Sequence, residues 1–161
     1  MPFTPFHFGL GLLIKSAAKK FSFLIFVFSQ IIMDLEPLYF MLRQDWPAHR
    51  IFHTFIGCNI AAVISIFLGK PLCELGLKIL NFVCRSHFET RIEWRAVTIS
   101  ALIGAYSHVL LDGLMHQDMK PFWPFSVENP MLGLVSHSSV HIFCIAGAVF
   151  FILKRKSSPA N

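Results

Sequence analysis

Charge is scarce in this chain. Asp, Glu, Lys and Arg make up only 14% of its 161 residues, against about 25% in an ordinary soluble domain. That shortfall argues against a soluble enzyme, and 55% hydrophobic residues with 18 Phe point to a bilayer. No Cys-x-x-Cys pair is present. Cys58, Cys73, Cys84 and Cys144 lie in or beside apolar runs, so buried free thiols are expected, with neither a disulfide framework nor a thiolate zinc site. A Gly-x-Ser-x-Gly turn is also missing, which removes the usual serine-hydrolase reading even though Ser107 precedes His108. The N-terminal region lacks a signal peptide's order of charge, apolar run and small-residue cleavage site, so its apolar runs are expected to be retained. No internal repeat appears. The length suits one domain, here a single membrane-embedded helical domain over 1–156 with a polar tail at 157–161.

What is present are apolar runs of helical length. A bilayer core of about 30 Å needs roughly 20 apolar residues, and segments 51–68, 96–115 and 131–153 are expected to span it. The shorter runs 6–17 and 21–33, parted by a polar turn around Ser16 to Lys20, predict an N-terminal helical hairpin. Residues 71–84 open with Pro71, carry apolar residues at helical spacing and predict an interfacial helix. The expected fold is therefore all-α, an integral membrane helical bundle.

The net charge of +5 does not indicate nucleic acid, because the basic residues fall in short clusters between apolar runs. Alternating the spans places Lys15, Lys19, Lys20, Lys70, Lys78, Arg85, Arg91, Arg95, Lys154, Arg155 and Lys156 on one side. Only Arg43, Arg50 and Lys120 remain on the other. Basic loops stay cytoplasmic. The expectation is a cytoplasmic C-terminus and a second face toward the exterior, which is the periplasm in a Gram-negative source.

Under that topology the histidines gather at the external face, although Lys and Arg alone set it. His108 and Asp112 are four residues apart, on one helix face about 6 Å apart along the axis. His137 and His141 repeat the spacing. His7 opens the first helix, Asp34 closes the second, and His53 is expected in the first turn of the third. Intramembrane ionisable groups are costly and are functional hypotheses by default. Neutral imidazole and carboxylate suit zinc, with manganese or iron also admissible, and such a site activates water near neutral pH. His108 and Asp112 are the candidate catalytic pair, and Arg50 and Lys120 are the cations available to hold an anionic substrate. His116 and His49 read as loop residues, the latter exposed. Trp46 and Trp123 read as interfacial anchors.

Five stretches then occur in a telling order: MPFTPFH at the start, IIMDLEP at 31–37, HRIFHTF at 49–55, SHVLLDGLMH at 107–116 and FWPFS at 122–126. Together they resemble the YdjM-type bacterial inner-membrane family, regarded as metal-dependent hydrolases. The chain departs from that family's Pro-Asp-x-Asp element, with Met33, Asp34, Leu35 and Glu36 in its place. Its His-Arg-x-x-Thr-His-Ser element appears as His49 to Phe55 with the second His one position early. The ligand order is also similar to the zinc-dependent phospholipase C and single-strand nuclease superfamily. By that resemblance His7, Asp34, His53, His108, Asp112, His116, His137 and His141 are metal ligands, with His141 where the superfamily has Glu. The implied activity is hydrolysis of a phosphoester or lipid headgroup by a metal-activated water. The expected partners are the lipid bilayer and a membrane-proximal phosphoester, with no nucleic acid. Two other readings stand beside it: a haem or electron-transfer protein with paired histidines, and a small metal transporter or sensor, which would favour ionisable groups nearer the midplane.

Overall fold

A computed structural model describes residues 6–157. Its elements are α1 (His7–Ala17), α2 (Phe23–Leu42), α3 (Cys58–Ile64), α4 (Lys70–Cys84), α5 (Trp94–Met115) and α6 (His137–Ser157). No strand occurs among the described residues. Four helical stretches are long and apolar enough to cross a membrane: Phe23–Leu42, Cys58–Cys84, Trp94–Met115 and His137–Ser157. The start MPFTP and the end of the polar tail lie outside the described residues.

The elements differ from expectation in length. The second helix of the N-terminal hairpin does not stop at residue 33; α2 continues through Asp34, Glu36 and Pro37 for 20 residues. Its polar groups face partners inside the bundle, so they do not end the helix. The segment expected to be interfacial, 71–84, is α4, and it is joined to α3 without a break through a π-helical turn at Ser65–Gly69. Pro71 cannot donate to the turn before it, and a widened turn is where a helix absorbs a missing bond. Residues 58–84 therefore form one stretch of 27 residues. Its N-terminal end is later than expected: residues 51–57 are turns, and His53 precedes the helix. The last span likewise starts at His137 rather than 131.

Two close helix pairs set the architecture. In α5 the buried residues Val97, Ala101, Gly104, Ala105, His108 and Asp112 recur at steps of three and four and form one stripe against α2. Gly104 lets that contact close, since a Cβ there would stand 1.9 Å from Ser29 Oγ. The same packing sets Gln30 and Asp34 of α2 opposite His108 and Asp112. α1 packs chiefly along α6, where a Cβ on Gly9 would stand 1.8 Å from the Cys144 carbonyl oxygen. The outer faces of α4 and α6 expose Leu75, Ile79, Phe82, Phe143, Phe150 and Ile152, as surfaces bathed in lipid do.

Candidate metal centre

The polar core lies where α5 ends. His7, His53, His108 and Asp112 are essentially without solvent exposure, and Asp34 and His49 are buried too. Asp112 is the hub. Its Oδ2 stands 3.0 Å from His108 Nε2 and 3.8 Å from His53 Nε2, while its Oδ1 stands 3.4 Å from His7 Nε2 and 3.8 Å from His116 Nε2. Asp34 Oδ1 lies 3.4 Å from His108 Nε2. Ligand atoms of Asp34, His53, His108 and Asp112 all lie within 4.8 Å of one another, and so do those of His49, Asp112 and His116. The two groups share Asp112.

The tautomers of three of these imidazoles follow from their outer partners. His108 Nδ1 is 2.6 Å from Gln30 Oε1, while Gln30 Nε2 donates to the Gly104 carbonyl at 2.9 Å. That second bond fixes the amide, so its oxygen faces His108 and Nδ1 carries the proton. His53 Nδ1 likewise donates to Glu36 Oε2 at 3.1 Å, and His49 Nδ1 donates to Asp118 Oδ1 at 2.9 Å. Both carboxylates are themselves anchored. Glu36 accepts from the backbone N–H of Arg50 and Phe52, and Asp118 accepts from those of Ala48 and His49. In the neutral ring each Nε2 is then left as the lone-pair nitrogen, the orientation that metal-binding histidines owe to such outer partners.

Those lone pairs face other acceptors. His7 Nδ1 and Nε2, His53 Nε2, His108 Nε2 and Asp112 Oδ1 are buried with no hydrogen-bond partner. His108 Nε2 and Asp112 Oδ2 are near but not aligned as a hydrogen bond. A buried polar atom left alone costs about 1–3 kcal/mol. Four of the five, His7 Nε2, His53 Nε2, His108 Nε2 and Asp112 Oδ1, gather around the Asp112 carboxylate and form an environment that a divalent cation would satisfy and that apolar packing would not. The residues present fit a metal.

Burial pushes the His53 imidazole below its ordinary value, against the pull of Glu36, and pushes His116 down against the pull of Asp112. Both shifts favour the neutral ring, the form that can act as a ligand. Burial works to raise the Asp118 carboxyl, yet its bonds from the His49 ring and backbone outweigh that and hold it below the usual range.

The remaining candidates separate. His116, a loop residue by sequence, caps α5 and stacks on His49 at 4.5 Å. His49 is buried, not exposed, because Asp118 draws it inward. His137 and His141 stand outside both ligand groups: His137 Nε2 donates to the Met115 carbonyl at 2.7 Å, and His141 stacks on Phe6 at 4.6 Å. Arg50 and Lys120 both line a cavity of 290 Å³ at the mouth, with His49, Ile51, Thr54 and Trp123. Arg50 is already engaged, by Asp45 at 2.7 Å, the Pro47 carbonyl at 2.8 Å and the Phe40 ring at 3.5 Å. Lys120 is exposed and makes no ion pair among the described residues. Gln30 and Asp118 are missing from the sequence reading. The polar Gln30 within an apolar run, and the carboxylate two residues beyond His116, were the available signals.

Fold and site together define a helical integral membrane protein with a buried histidine–carboxylate centre at one end of its bundle. A family model described as YdjM inner membrane protein matches residues 7–160. The chain belongs to that family, as the ordered motifs implied. Among curated proteins and solved structures nothing matches.

Proposed function

We propose that the protein is a metal-dependent hydrolase of membrane-proximal phosphoesters or lipid headgroups. The observation that carries the reading is the set of unpartnered buried atoms on His7, His53, His108 and Asp112. Asp34, His53, His108 and Asp112 Oδ2 would hold one ion. Asp112 Oδ1, His49 and His116 would hold a second, with His7 facing the shared carboxylate. Nitrogen and carboxylate donors without thiolate favour zinc, and manganese or iron are compatible. A bound metal supplies Lewis acidity and lowers the pKa of water, which is the chemistry phosphoester hydrolysis needs.

The chain's own residues do the rest. Gln30, Glu36 and Asp118 keep the imidazole lone pairs turned inward. Lys120 offers a cation without an ion pair among the described residues, while Arg50 braces the loop that carries His49 and His53. Ile51, Trp123 and Val127 give that cavity apolar walls suited to the non-polar part of a lipid. With the basic end cytoplasmic, the site opens to the periplasm or exterior. Haem is disfavoured by geometry: the ring centres of His7 and His53 lie 5.1 and 5.2 Å from that of His108, too close to admit a porphyrin between them.

Detergent-purified protein is expected to hydrolyse a chromogenic phosphodiester or a phospholipid headgroup. Chelation and Asp112→Asn should abolish the activity, and added zinc should restore it only to the wild type. A metal-replete preparation inert toward phosphomonoesters, phosphodiesters and phospholipids alike would sink the hydrolase reading.

A further inference from the structure

The opposite end of the bundle carries a second cavity, of 570 Å³, between the α1–α2 turn, α4 and the segment leading into α5. Ala96 on its wall and Asp112 are separated by 16 residues of α5, roughly 24 Å of helix. It plays no part in the metal centre.

Four cations line it: Lys15, Lys19, Lys20 and Arg91. All are exposed, and none forms an ion pair among the described residues although Glu89 and Glu93 share the wall. Lys15 is held on the wall by donating to the Phe21 carbonyl at 2.8 Å. The excess is two positive charges left without internal partners. The rest of the wall is largely apolar, with Leu24 and Phe88 among its exposed members. A basic rim over an apolar wall, at the end of membrane-spanning helices, matches an amphiphile with an anionic head. Basic pockets between spanning helices take phospholipid headgroups for this reason.

We propose that this cavity binds the headgroup of an anionic glycerophospholipid, with Lys19, Lys20 and Arg91 on its phosphate and Leu24 and Phe88 against its glycerol and upper acyl carbons. The site holds the turn between α1 and α2 to the entry of α5. It thereby ties the lipid to the two helices that carry Asp34 and Asp112 further along their length.

Native mass spectrometry of the full chain, with phosphatidylglycerol, phosphatidylcholine or glycerol 3-phosphate added separately, tests this. Phosphatidylglycerol should be retained and the other two should not. The double variant Lys19→Gln with Lys20→Gln should bind it about 30-fold more weakly, from about 1 kcal/mol per basic residue. Removing the same charge outside the cavity, with Lys78→Gln and Lys156→Gln, should change binding less than about threefold. Equal retention of the two lipids, equal binding of glycerol 3-phosphate, or a double variant that binds like wild type would each overturn the proposal. Metal content is unaffected by any of these outcomes, so the hydrolase reading stands or falls separately.

Discussion

At His108 a single proton decides whether the ring can serve a metal. Gln30 places that proton on Nδ1 through a 2.6 Å contact, so that in the neutral ring the Nε2 lone pair faces Asp34 and Asp112. Gln30→Leu keeps the volume and removes the acceptor, and should weaken zinc about 10–100-fold in a chelator competition. Arg50 and Lys120 divide in the same way between brace and free charge. Arg50→Gln is expected to lower the Tm by about 2–4 °C, because it frees Asp45 and the Pro47 carbonyl. Lys120→Gln should leave the Tm within about 1 °C and raise KM for an anionic substrate. His108 and Asp112 were legible in the sequence because their pairing is local, one helical turn within one apolar run. Gln30 and Asp118 were not, since their partners lie 78 and 69 residues away. Gln30 is moreover neutral, and carries no charge whose burial would draw notice.

At the scale of the elements, the site depends on α2 and α5 lying close enough for their polar stripes to face. Gly104→Ala should cost about 1–3 kcal/mol in denaturant unfolding, since its Cβ would meet Ser29 Oγ at 1.9 Å. Metal content should fall with it, because Asp34 and Gln30 sit on the displaced helix. Adding Ser29→Ala should recover part of both losses. The positions of the helices were legible from hydrophobic runs, and their ends were less so. Asp34 read as the end of the hairpin's second helix, but it faces His108 inside the bundle and Glu36 beyond it is satisfied by His53 and the backbone of Arg50 and Phe52, so α2 runs on. Pro71 read as the start of a separate helix, whereas the π-turn before it keeps α3 and α4 continuous. Both differences arise from bonds that the local sequence does not contain.

For the molecule as a whole, chemistry and charge sit at opposite ends. The histidine–carboxylate cluster and the Trp46 and Trp123 side chains mark one end, while Lys15, Lys19, Lys20, Arg91 and the basic last turn of α6 mark the other. Basic ends stay cytoplasmic. A fluorescent reporter fused after residue 157 should therefore light up in cells, and a phosphatase that works only outside the cytoplasm should be active when inserted at 126–129. The reverse pattern would place the site in the cytoplasm and change its accessible substrates without changing its ligands. The central claim, that His108 and Asp112 organise a metal centre, needs neither topology nor substrate. Elemental analysis of detergent-purified wild type beside His108→Ala and Asp112→Ala tests it most directly. The account predicts up to two divalent ions per chain in the wild type, loss of at least one in His108→Ala and near-complete loss in Asp112→Ala. Wild-type protein that stays metal-free after dialysis against zinc, or variants that hold as much metal as wild type, would contradict it.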